Sequence, residues 1–187
     1  CAGAYANAAT TFNFHDGSNT IDTGLVFETE SGPITDTVGG ITLTAEAFLD
    51  GNSTGTVFNG NSDGFGINDS GTDKTERFDN DNGNGIDSME FSFNKAGTFD
   101  SIDLRYISKS DEGVLDFGGG STKQLDSNTV LSSDDDFNIG ESFNAGQTIS
   151  LGISASAGGG ENFSLESFTV TPVPEPGHYA ALLGLFS

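Results

Sequence analysis

The stretch Ser88-Met89-Glu90-Phe91-Ser92-Phe93 decides the fold. Its apolar residues occupy every second position. Successive side chains of a β-strand point to opposite faces, so Met89, Phe91 and Phe93 share one face and Ser88, Glu90 and Ser92 the other. Toward the C-terminus, Ser101-Ile-Asp-Leu-Arg-Tyr106 repeats the alternation, with Ile102, Leu104 and Tyr106 predicted to face the core. Toward the N-terminus, Ile41-Thr-Leu43-Thr-Ala45 does the same, and Ile149-Ser-Leu151-Gly-Ile153 does so later in the chain. Phe163 and Leu165 share one parity whereas Phe168 and Val170 share the other, which predicts a bulge near Glu166-Ser167 that returns both pairs to one face. Further strands are expected at Thr11–Phe14, Leu25–Glu28, Gly55–Phe58, Val114–Phe117 and Thr122–Leu125.

Gly, Asn, Asp and Ser cluster between these runs, at Asp50-Gly-Asn-Ser53, Asn59–Gly64 and Gly118-Gly-Gly-Ser121. These residues tolerate positive φ or bond to their own backbone, so the clusters read as hairpin loops. No window of helical length carries an apolar stripe. The expected fold is all-β: an antiparallel β-sandwich of jelly-roll type with extended N- and C-terminal tails. The sandwich is expected over residues 10–171, after a tail of residues 1–9 and before a tail of residues 172–187.

The composition narrows the partners. The chain has 187 residues, enough for one domain, and 16 Phe with no Trp supply a core of some size. Lys and Arg number 6 against 28 Asp and Glu, for a formal net charge of -22. Nucleic acid is therefore excluded as an expected partner, and so is adhesion to anionic lipid, since both require a basic face. Cys1 is the one cysteine, so there is no internal disulfide and no cysteine-rich zinc site. The two histidines, His15 and His178, lie near opposite ends. His15 beside Asp16 reads as a strand-end residue, and no G-x-S-x-G elbow accompanies it. With no Trp to stack on sugar, a glycosidase reading gains little from the abundant carboxylates. No catalytic residues are expected, and the chain is not expected to be an enzyme.

One loop carries metal-binding chemistry. In Asp79-Asn-Asp-Asn-Gly-Asn-Gly-Ile-Asp87, alignment on Gly85-Ile86-Asp87 puts Asn80, Asn82 and Asn84 where calcium loops place oxygen ligands. Ca²⁺ takes about six to eight oxygens, and alternate residues on a glycine turn can point several inward. Asp79, Asp81, Asp87 and Glu90 add negative charge, so these seven residues form the candidate Ca²⁺ site. Neutral Asn replaces the usual Asp, and no Glu closes the loop at twelve-residue spacing. Asp134-Asp-Asp136 and Asp111-Glu112 read as solvated loops or strand ends.

The ends resemble targeting signals. Ala6-Asn7-Ala8 fits the A-x-A pattern that closes a secretory signal. Thr171-Pro-Val-Pro-Glu-Pro-Gly177 favours polyproline II and is followed by the apolar run Tyr179-Ala-Ala-Leu-Leu-Gly-Leu-Phe186, too short to span a bilayer. Val173-Pro174-Glu175-Pro176 before that run resembles the C-terminal sorting signal of PEP-CTERM proteins. Those are exported by Gram-negative bacteria and handled by a membrane transpeptidase, exosortase. A family tail ends in an Arg-rich cluster, whereas no Lys or Arg follows Lys123 here, and the expected tail is truncated or processed. The body also resembles a domain common in that group, through Gly64-Phe-Gly66-Ile-Asn68, Arg77-Phe-Asp79-Asn80, Asp87–Phe93 and Thr98–Tyr106.

The resemblance implies an extracellular or cell-surface location, often in an exopolysaccharide matrix. The expected function is a non-enzymatic structural protein, a self-associating fibre or matrix subunit. Polymers would form by strand addition through the terminal segments, with Phe12, Phe14, Tyr179, Leu182, Leu183 and Phe186 as contact residues. The second expectation is a Ca²⁺-dependent carbohydrate-binding module of that matrix.

Overall fold

A computed structural model describes residues 8–14, 20–21, 25–26, 30–52, 57–61, 64–68, 77–79, 85–108, 111–126, 133–154 and 162–174. The regular elements among them are all strands. In chain order they are β1 (Thr10–Asn13), β2 (Thr20–Ile21), β3 (Leu25–Val26), β4 (Glu30–Ser31), β5 (Ile34–Val38), β6 (Ile41–Leu49), β7 (Val57–Asn61) and β8 (Gly64–Asn68). There follow β9 (Phe78–Asp79), β10 (Asp87–Phe93), β11 (Gly97–Ile107), β12 (Gly113–Asp116), β13 (Thr122–Leu125), β14 (Ser133–Phe143), β15 (Ile149–Ile153) and β16 (Asn162–Pro172).

Two antiparallel sheets form the body. The first runs β14-β11-β16-β8-β7-β4, and β1 and β9 also pair with β16. The second runs β13-β12-β15-β10-β6-β5, while β2 and β3 form a separate pair. In the second sheet the period-two reading holds. Ile41, Leu43, Ala45 and Ala47 of β6, Met89, Phe91 and Phe93 of β10, and Ile149, Leu151 and Ile153 of β15 are all buried. They face Phe99, Ile102 and Leu104 of β11 and Phe163, Leu165, Phe168 and Val170 of β16, and one continuous core results. Burying a phenylalanine of this kind contributes roughly 1.5–3 kcal/mol, and ring-to-ring contacts link Phe12, Phe14, Phe91, Phe93, Phe99, Phe117, Phe143 and Phe168 through the core.

The bulge expected near Glu166 is present. Asp103 pairs with Ser167 but Leu104 pairs with Leu165, so Glu166 is the extra residue and all four apolar side chains of β16 reach the core. Strand β11 has its own bulges, between Phe99 and Ser101 and between Leu104 and Ile107. The second corrects the reading of Tyr106. Ile102 and Leu104 face inward as expected, but the bulge turns Tyr106 out to a half-buried position at φ 63°, and Ile107 takes the core place.

Other differences concern polar strands. Residues 59–64 were expected to form a loop, but Asn61 pairs with Gly64 and Asn59 with Gly66, so the hairpin turn is tighter. Ser133–Phe143 is an eleven-residue strand whose acidic start hides its alternation. The Asp134–Asp136 run lies at that strand end.

The outermost strands carry charge. Asp36 points inward from the middle of β5 and is buried, a device that discourages another strand from adding to an edge. On the opposite side, Lys123 of β13 and Glu141 of β14 pair at 2.7 Å and tie the two sheets together.

Candidate functional site

The described residues that flank the expected Ca²⁺ loop, Asp79 and Gly85–Asp87, are held at one end of the sandwich. Strand β9 is two residues long and pairs with the start of β16, Asn162 opposite Asp79 and Phe163 opposite Phe78. Phe78 and Phe163 stack with centroids 5.2 Å apart, which anchors β9. Asp79 is then 5% exposed, and Asp87, at the head of β10, is 2% exposed. The Asp79 N–H donates to Asp87 Oδ2 at 3.1 Å, so the second carboxylate holds the backbone of the first. The far side of the loop is equally fixed. Ile86 N–H donates to Asp50 Oδ1 at 3.0 Å, and Asp50 N–H donates to the Ile86 carbonyl at 3.1 Å. Gly85 has φ 117°, a backbone conformation that L side chains rarely adopt, and a Cβ there would stand 2.5 Å from Leu49 Cδ1, so glycine is favoured at this position.

Asp79 and Asp87 are thus brought together from two strands. Asn80, Asp81, Asn82 and Asn84 lie outside the described residues. Glu90 is not with them: three residues on from Asp87 it has the opposite parity and is exposed on the outer face of the second sheet. There it sits directly across from Glu46, in a shallow depression lined also by Pro33, Thr44, Ser92 and Thr148. Among the described residues no three His, Cys, Asp or Glu side chains form a metal-ligand group. The donors at the loop are all oxygen, which suits a hard cation such as Ca²⁺. Two carboxylates alone do not complete its shell, so the Asn and Asp side chains of the loop would have to supply the remainder.

Beside this pair is a cluster that sequence reasoning missed. The Arg77 guanidinium carbon lies 4.2 Å from the Tyr106 ring centroid, and that of Arg105 lies 5.1 Å from the same centroid. Arg77 donates through Nη1 to Asn162 Oδ1, and Arg105 lies 3.6 Å from Glu166 Oε1. A bridge between Ile67 and Arg77 seats Arg77 beside β8. The signal available was scarcity: two of only six Lys and Arg residues flank elements that the topology joins.

Asp111 corrects another reading. It is buried rather than solvated, and its carboxylate accepts the backbone N–H groups of Ser108 and Asn162, which fixes the connection from β11 to β12.

The terminal residues divide. Phe12 and Phe14 are 0% and 5% exposed, because β1 pairs with β16 of the same chain and both rings pack on Phe168. Neither is presented to another copy. Val173 is 51% exposed and donates its N–H to the Ala96 carbonyl at 2.9 Å; Pro174 beyond it is also exposed. Glu175, Pro176, Tyr179, Leu182, Leu183 and Phe186 lie outside the described residues, as do Cys1, His15 and His178. No helix among the described residues is long and apolar enough to cross a membrane. No protein-family model matches this sequence, and no curated protein is found to be similar to it.

Proposed function

We propose that this chain is a secreted or cell-surface β-sandwich of jelly-roll type with a structural, non-enzymatic role, a self-associating fibre or matrix subunit. The observation that carries the reading is the place of the sorting-like motif. Val173 opens Val-Pro-Glu-Pro at the point where β16 leaves the sandwich, with its side chain in solvent and its backbone tied to Ala96. A motif set there is reachable by an exosortase while the body stays folded. The phenylalanine core supports a rigid scaffold. Of the strands that end the two sheets, β5 is guarded by Asp36, which leaves β4, β13 and β14 as those at which copies can meet. With Phe12 and Phe14 inside their own molecule, contacts between copies fall to those strands and to the segment after Val173.

Light scattering of the purified full chain, with and without Ca²⁺, tests the proposal. Assembly beyond the monomer supports it, and a monomer at every concentration and in both conditions overturns it.

The buried pair Asp79 and Asp87 favours the second reading, a Ca²⁺-dependent carbohydrate-binding module of an exopolysaccharide matrix. A ligand that binds only the folded state raises its melting temperature, so millimolar Ca²⁺ should raise it and chelator should lower it. A glycan array that stays blank in Ca²⁺ removes this reading.

A further inference from the structure

The chain bears a formal charge of -22, yet two of its six cationic side chains converge on one aromatic ring. Two guanidiniums against one ring repel each other, and the placement of that ring requires a bulge in β11 and a tyrosine at φ 63°. Backbone of that kind is uncommon for a bulky residue and concentrates at sites that do something other than stabilise. The partners differ in a useful way. Arg105 faces the carboxylate of Glu166, whereas the bond Arg77 makes to Asn162 goes to a neutral amide oxygen, which orients the guanidinium without cancelling its charge. Arg77, Arg105 and Tyr106 are all half-buried, open to solvent on one side and held by the fold on the other.

Guanidinium recognises a carboxylate through paired donors, and the Tyr106 ring under both guanidiniums holds them close to each other. Attraction from the cluster acts only at short range in salt, since the screening length is about 8 Å at physiological ionic strength. It can therefore hold one acidic group of a polymer that the protein as a whole repels. We propose that Arg77, Tyr106 and Arg105 form a recognition site for an acidic sugar, a pyranose bearing a carboxylate. The assignment rests on the glycan-binding reading for the class of ligand and on this geometry for its place. Asp79 lies two residues from Arg77 and pairs with Asn162, so the site adjoins the buried carboxylate pair.

Titration calorimetry of the full chain in physiological salt and millimolar Ca²⁺, with trigalacturonate and with neutral maltotriose, tests the site. Trigalacturonate should bind at least about tenfold more tightly than maltotriose. Arg77→Gln should weaken trigalacturonate at least about tenfold while the melting temperature moves by no more than about 3 °C. Tyr106→Asn, which accepts positive φ, should weaken it too, with the melting temperature unchanged or raised. Equal affinity for the two sugars, or unchanged affinity in both variants, overturns the site. If neither sugar binds the wild type, the site also fails. In that case glycan-array hits confined to neutral sugars leave the wider reading standing, and a blank array removes both.

Discussion

Phe91 of β10 and Phe168 of β16 lie face to face between the two sheets, with ring centroids 5.3 Å apart and planes 14° from parallel. Phe168 also touches Phe12, Phe14, Phe93 and Phe99, so one side chain joins strands from both layers. Its truncation removes contacts on every side. Phe168→Ala should lower unfolding free energy by about 3–5 kcal/mol, measured by urea titration, and a cycle with Phe91→Leu should show a coupling of about 0.5–1.5 kcal/mol.

Gly97 begins β11 where three elements meet. A Cβ there would stand 2.7 Å from the Thr171 carbonyl oxygen and 3.1 Å from Pro172 Cα, both backbone atoms. Gly97→Ala should cost about 1–3 kcal/mol through strain. Gly140, at φ 67° with open space around it, should lose only about 1 kcal/mol on change to Ala. A comparison of urea midpoints separates steric from conformational cost.

Glu46 and Glu90 are register partners on the outer face of the second sheet. Like charges directly opposite are unfavourable, so Glu46→Lys should stabilise by about 0.5–1 kcal/mol. The gain should shrink in 0.5 M salt, where the screening length falls to about 4 Å, and calorimetric melting at two ionic strengths reads the difference.

Asp87 accepts the buried N–H of Asp79. Asp87→Ala leaves that donor without its acceptor and should cost about 1–3 kcal/mol. Asp87→Asn retains an acceptor oxygen and should cost less. Both should abolish a Ca²⁺-induced rise in melting temperature if the pair helps hold the ion.

Asp36 faces inward on the outermost strand β5 and accepts the Thr37 N–H at 2.6 Å. Asp36→Val should leave the circular dichroism spectrum of a β-protein intact and promote concentration-dependent association, seen by light scattering. A variant that assembles no further than wild type at any concentration would show that this side chain does not guard the edge.

Much of the fold was legible because burial in a two-layer sheet imposes a period of two. Met89, Phe91 and Phe93, and the parity switch between Leu165 and Phe168, carried both the strands and the bulge that joins them. Tyr106 was misread because a bulge breaks parity without changing composition, and nothing in Leu104-Arg-Tyr-Ile107 marks the extra residue. Strand β14 was hidden for a different reason: its side chains at the start are acidic and its pairing rests on backbone hydrogen bonds to β11. At the candidate site, the nearness of Asp79 and Asp87 followed from a short loop, whereas Glu90 failed because spacing by three changes face on a strand. The meeting of Arg77 with Tyr106 depends on β9 pairing with β16, a relationship more than eighty residues long that no local pattern reports.

The late position of β16 has a consequence for biogenesis. It lies beside β11 along one edge and beside β1, β8 and β9 along the other, so Thr10 waits for Val170 before it has a partner. During translation the first sheet lacks its middle until residue 172 has left the ribosome. Contacts this distant in sequence also slow closure. A polypeptide that threads a translocation channel before it folds, as the proposed export requires, gains from that delay: the two layers cannot close on each other until the last strand is made.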